Sequence, residues 1–167
     1  MKKSLVEKAV ICGSSLLSLL MMFFIKVTAT NTLVLGETTT TRNAGKSAIF
    51  TFLNDAKEAD MFVFARVMIW IGLILMMICI AYFAFLLVLE LIHKEKIIKK
   101  LSLVSTVMKF ILVVSVMLIL LAGLDKNQIV IKDLAKETLN ITLFGFPWML
   151  SLLFSIIPLS IKHLIKE

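Results

Sequence analysis

Reactive side chains are scarce in this chain, and the scarcity removes whole classes of chemistry. Only two cysteines occur, Cys12 and Cys79, and both sit inside apolar runs. A disulfide framework needs paired cysteines in segments open to an oxidising compartment, so small buried side chains are the simpler reading. Enzymes that generate disulfides at a membrane surface exchange through exposed thiol pairs, and the polar segments 26–60 and 125–138 contain no cysteine. Histidine is equally rare. His93 and His163 lie in basic segments, and neither has a second His or Cys three or four residues away, the spacing that sets two metal ligands on one helix face. Glu90 and His93 stand at i, i+3, which a solvated helix end explains. No serine occupies a nucleophile elbow. The nearest carboxylate cluster, Asp55, Glu58 and Asp60, is interrupted by Lys57 and reads as the polar side of a helix, not as a divalent-metal site. The expectation is a protein that is not an enzyme, with no cofactor and no metal.

Charge is also in short supply. Charged residues make up 17% of the 167 positions, hydrophobic residues 60%, and the mean hydropathy is +1.02. Soluble domains run at about 25% charged and about 45–50% apolar, so the departure points toward lipid. The apolar residues gather in four blocks, about 9–25, 61–91, 101–124 and 139–161. Each is near or above the roughly 20 residues that cross a hydrocarbon core of about 30 Å. The fold expected is therefore an all-α integral membrane protein, one domain over 1–167, with four transmembrane helices in a bundle. The first block follows the basic opening "MKKSLVEK", and Val27 and Ala29 are spaced like a cleavage site, so a secretory signal peptide also fits. At about 17 residues the block is long for a signal core, and we read it as a retained helix.

The polar segment 26–60 opens with threonine-rich "TATNTLVLGETTTTRNAGKS", which reads as an exposed outer loop. Its "AGKS" ends a phosphate-binding signature, but Thr40 stands where the first glycine belongs and no buried strand precedes it; no nucleotide is expected. Further on, Ile49, Phe52, Leu53 and Ala56 repeat at i, i+3, i+4 and i+7, the face of an amphipathic surface helix. Ile131, Leu134, Ala135 and Thr138 share that spacing and predict a second one. Pro147 should kink the fourth helix near its first turn. The short basic turn 93–100, "HKEKIIKK", makes the second and third helices an antiparallel hairpin.

The net charge of +7 comes from basic residues flanking the blocks. They form no aromatic-interleaved face, so nucleic acid is not the expected partner. With both termini cytoplasmic, the inner side holds nine lysines against four glutamates, including the membrane-surface cluster Lys94, Lys96, Lys99 and Lys100. The outer side holds eight basic against seven acidic residues spread over longer segments, and the density of the inner lysines decides the orientation. An ionisable group within a span is by default a functional candidate with a named partner. Lys109 can snorkel to the headgroups or pair with Glu90 across the hairpin; Arg66 snorkels outward. Gly13, Ser14 and Ser18, with Ala9, give the first helix small-xxx-small spacing for close helix packing.

The layout of four spans, a long first outer loop and cytoplasmic termini is like that of claudins and other tetraspan proteins, but the tryptophan and paired cysteines of their first outer loop are absent here. Lysine-rich, arginine-poor usage suggests an AT-rich bacterial genome. Together these features predict a small polytopic protein of the cell membrane. Its expected role is accessory or assembly subunit of a larger transporter, secretion or signalling complex, with the lipid bilayer and a protein partner or further copies of itself around it. Two alternatives are an oligomeric channel or transporter component using Glu90, Lys109 and Pro147, and a bacteriocin-immunity or stress protein acting through the outer loop.

Overall fold

A computed structural model describes residues 3–35, 38–131 and 135–164. Its element order is α1 (Lys3–Phe23), β1 (Lys26–Leu35), β2 (Thr38–Ala48), α2 (Ile49–Glu58), α3 (Val63–Leu91), α4 (Glu95–Lys100), α5 (Ser102–Leu121), a 3₁₀ turn (Ala122–Leu124), β3 (Lys126–Ile131), β4 (Ala135–Phe144) and α6 (Phe146–Leu164). Helix dominates, and α1, α3 and α5 with its 3₁₀ extension are long and apolar enough to cross a membrane. The all-α expectation is corrected: an antiparallel sheet of four strands, in the order β2-β1-β4-β3, takes the place of loop and surface helix.

The four long helices pack in sequence around a ring, α1 on α3, α3 on α5, α5 on α6 and α6 back on α1. The sheet lies at one end of this bundle. Lys26, two residues after the turn that ends α1, pairs with Phe144, one residue before Gly145 and α6. The two hairpins come from distant parts of the chain and join edge to edge through β1 and β4. At the opposite end, α4 and the short α3–α5 connection carry Lys94, Lys96, Lys99 and Lys100, all exposed.

Strand wins over helix in 126–144 because a second period is present. Thr138, Asn140 and Thr142 alternate with Leu139, Ile141 and Leu143, a two-residue repeat that puts one set on each side of a strand. Ile141 is buried, and Leu139 and Leu143 pack against the same core. β1 has the same two-residue repeat in sequence, with Thr28, Thr30 and Thr32 alternating with Val27, Asn31 and Leu33; Val27 and Thr28 are both buried, and Thr30 and Thr32 are half-buried. Branched threonine side chains suit a pleated surface and are restricted in a helix. The i, i+3, i+4, i+7 match at 131–138 was fortuitous, and Leu134 itself lies outside the described residues.

The fourth apolar block divides accordingly. Its first six residues are strand, Gly145 turns the chain with φ +108°, and α6 starts at Phe146. A side chain on Gly145 would be strained by that φ and would meet Pro147 Cδ at 3.1 Å. Pro147 lies in the first turn of α6, where its missing N–H has no intrahelical partner to lose; the expected kink gives way to a start signal. Pro158 is the proline inside the helix.

α2 forms where expected, burying Ile49, Phe52, Leu53 and Ala56. At its junction with α3, Asp60 and Phe62 adopt left-handed φ values of 50° and 53°, unusual for side chains of this size. Phe62 is buried with its ring centroid 5.7 Å from that of Phe52, so packing holds the strained residue in place. Several polar side chains join the apolar interior of the bundle, and many large apolar ones are left on its surface. Ser14, Ser15, Ser18, Ser115, Ser151, Ser155, Glu90 and Lys109 are buried, while Leu20, Ile74, Met77, Phe110 and Leu153 face outward.

Candidate functional site

Hydroxyl groups hold α1 to α6. Ser18 Oγ lies 2.8 Å from Ser151 O and 3.0 Å from Ser151 Oγ, and Ser151 Oγ lies 2.9 Å from Ser18 O. Each hydroxyl can thus donate to the opposite backbone, an exchange possible only where small side chains let the helices approach. Ser14 and Ser15 turn their hydroxyls onto Ile11 O of their own helix, at 3.1 and 2.7 Å. Gly13 is not in close contact: a Cβ there would meet nothing within 4 Å. The glycine at a close crossing is Gly72 on α3, whose added Cβ would lie 2.6 Å from Ile119 Cγ1 and 2.7 Å from the Ser115 carbonyl oxygen on α5. The sequence reading missed Gly72, Ser151 and Ser155. The serines stand at i, i+4 in an apolar block, the same small-residue signal as Ser14 and Ser18.

Contacts between α3 and α5 also set their register. Gly72 faces Ser115, and Cys79 Sγ donates to Met108 O at 3.4 Å. Tyr82 OH donates to Leu101 O at 3.1 Å nearer the turn. By that register Glu90 is level with about residue 97 and Lys109 with about residue 78, an axial offset of roughly 18 Å at 1.5 Å per residue. Both side chains are buried, at 8% and 6% exposure, with their backbone positions at different levels of the bundle.

Lys109 lines a cavity of about 60 Å³ toward the basic end, together with Glu7 and Lys8 of α1, Leu86 of α3, Ile98 of α4, and Ser102, Ser105 and Thr106 of α5. A polar space of this size holds on the order of four waters. Among the described residues, the carboxylate sharing this cavity with Lys109 is Glu7, which sequence reasoning left among the surface charges. Nothing short of the fold brings the first turns of α1 beside the middle of α5, so the sequence carried no signal for it.

At the sheet end, Asp125 Oδ2 accepts a 2.8 Å hydrogen bond from the Ala65 backbone N–H in the first turn of α3. Phe23, Phe50 and Trp70 form an outward-facing aromatic chain, with centroid separations of 5.4 and 6.4 Å. Residues Lys46 and Ser47 of the "AGKS" stretch pair in the ladder with Thr28 and Val27, so this backbone is extended and not wrapped as a phosphate loop. Among the described residues, no three His, Cys, Asp or Glu side chains converge on a point that could hold a metal. His93 takes a left-handed turn, φ 56°, just past α3; the His163 side chain, Lys2, Lys166 and Glu167 lie outside the described set. Compared with models of known protein families, with curated proteins and with solved structures, the chain matches none.

Proposed function

We propose that this protein is a non-enzymatic membrane protein whose α1, α3, α5 and α6 each cross the bilayer, and that it serves as an accessory or assembly subunit of a larger membrane complex. The observation that carries the subunit reading is the sheet. Among the described residues β2 pairs only with β1 and β3 only with β4, so two strands present an unpaired edge at the end of the bundle. An open edge offers backbone donors and acceptors that an extended segment of another chain can complete. The outward apolar surface supports the membrane part: large side chains such as Leu20, Ile74, Met77, Phe110 and Leu153 are exposed, while Glu90, Lys109 and several serines are buried, as a lipid solvent favours.

The basic end, with Lys3, Lys8 and the 94–100 cluster, is the cytoplasmic end under the positive-inside rule, and the sheet is then external. Single cysteines at Thr39 and Lys96, in a chain with Cys12 and Cys79 replaced by alanine, test this. A membrane-impermeant maleimide should label the first in intact cells and the second only after permeabilisation; the reverse pattern inverts the topology.

For the subunit role, the full chain with a C-terminal affinity tag is extracted from its native membrane into nanodiscs and its intact complexes are weighed. A stoichiometric larger partner supports the reading. A pure homo-oligomer removes it and favours the second reading, a channel or transport component, which rests on the cavity lined by Lys109 and Glu7. In that case solute flux through the reconstituted oligomer should fall on Lys109→Met.

A further inference from the structure

A groove of about 500 Å³ opens between α2 and the first half of α3. Its polar end is formed by Asn54 and Lys57 of α2 and Arg66 of α3; its apolar floor continues along α3 through Trp70, Ile71 and Ile74. Arg66 and Ile74 are eight residues apart, about 12 Å of helix. Trp70, Ile71 and Ile74 are each more than 40% exposed and so are not consumed by the bundle. Resting on the reading of α3 as a membrane span, we propose that this groove is a binding site for one anionic glycerophospholipid. Its phosphate lies between Lys57 and Arg66, and one acyl chain runs along Trp70, Ile71 and Ile74.

Charge and position both favour this occupant. Two cations converge on one mouth, and Asn54 adds a side-chain amide donor. Arg66 Nη2 contacts Asp60 Oδ1 at 3.3 Å, but the Asp60 side chain is 93% exposed, and a guanidinium has five N–H donors. Asp55 and Glu58, one position further round α2, are outside the groove lining. The boundary between polar mouth and apolar floor falls at Trp70, which also belongs to the outward aromatic chain with Phe50 and Phe23. Tryptophan concentrates at the headgroup level, where one side of the ring is apolar and the other wet. A water-soluble anion would use the mouth and leave the floor bare; a lipid uses both.

Trp70 makes the site measurable, because the chain contains only one other tryptophan, Trp148. The full chain carrying Trp148→Phe is reconstituted in vesicles of phosphatidylcholine and phosphatidylglycerol, with bromine on the acyl chains of one lipid or the other. Near-surface cations favour an anionic headgroup by several-fold each, so the relative binding constant for phosphatidylglycerol over phosphatidylcholine at Trp70 should be about tenfold. In Lys57→Gln/Arg66→Gln it should fall to near one, while Lys57→Arg/Arg66→Lys should retain it. Equal quenching by both lipids, unchanged by the glutamines, overturns the site but leaves α3 in the bilayer. Absence of quenching by either lipid, in protein that retains its helical circular dichroism, overturns the span and the site together.

Discussion

Asp125 caps a helix that began 62 residues before it. Its carboxylate accepts the Ala65 N–H at 2.8 Å, in the first turn of α3, where the residue preceding the helix, Phe62, supplies no side-chain cap. The first N–H groups of any helix lack intrahelical partners and carry the positive end of its dipole. Asp125 meets both needs from the connection between α5 and β3, so it fastens the sheet-side end of α3 to the second hairpin. Asp125→Ala should lower stability by about 1 kcal/mol, and Asp125→Asn, which keeps an acceptor but not the charge, by less. Thermal unfolding followed by circular dichroism in one fixed detergent checks the order; equal stability of all three proteins would deny the cap.

Gly72 and Gly13 should respond in opposite ways to the same change. Gly72→Ala places a methyl 2.7 Å from a backbone oxygen of α5, and backbone cannot rotate away. An overpacked interior typically loses about 1–3 kcal/mol. Gly13→Ala meets open space and should be tolerated. Comparable losses at both positions, measured by the same unfolding assay, would mean that α3 and α5 do not cross at Gly72.

These cases mark what could be read from the chain before its fold was known. Apolar runs 61–91 and 101–124 correspond to α3 and to α5 with its 3₁₀ turn, because hydropathy reports a solvent and lipid tolerates only segments that satisfy their own backbone. The face of α2 was legible for a similar reason: four of its five apolar residues, Ile49, Phe52, Leu53 and Ala56, fall at helical spacing in an otherwise polar stretch. The sheet was missed because threonine was weighed as a loop residue, when at 27–33 and 138–143 it is half of an alternating strand. Pairing of β1 with β4 joins residues 100 or more positions apart, and no local pattern announces that. Asp125 and Glu7 are ordinary charges in the sequence; only tertiary contact gives them a partner or a cavity.

The serine exchange between α1 and α6 should show up as two losses that nearly add. Ser18→Ala removes the bond to Ser151 O and the contact between the hydroxyls but leaves Ser151 Oγ donating to Ser18 O, and Ser151→Ala does the converse. Interhelical polar pairs in membrane proteins average about 0.6 kcal/mol, with a maximum near 1.7, so each single variant should lose an amount in that range and the double variant roughly the sum. A double variant no worse than either single one in the same unfolding assay would deny that the two hydroxyls bond separately to opposite backbones.

Ile141 joins the sheet to the bundle. Its side chain is 3% exposed, on the face of β4 that carries Leu139 and Leu143. Ile141→Ala should remove about 2–4 kcal/mol by lost burial and a residual cavity. Thr142→Ala, one residue on and exposed, should change little. The comparison separates a sheet seated on the helices from one that projects freely, which would treat both substitutions alike.

Unequal strand protection tests the proposal that an edge of the sheet receives a partner. Among the described residues β1 and β4 have neighbours on both sides, whereas β2 and β3 each have one, so half of the amides on the outer strands lack a ladder acceptor there. Hydrogen exchange of the purified chain should protect β1 and β4 over β2 and β3 by about tenfold or more, since exchange tracks local opening. If a partner strand completes an edge in the native complex, β2 or β3 alone should rise to the level of the central pair. Uniform protection across all four strands of the isolated chain would require both edges to be covered already, and the sheet would then have no backbone surface to offer.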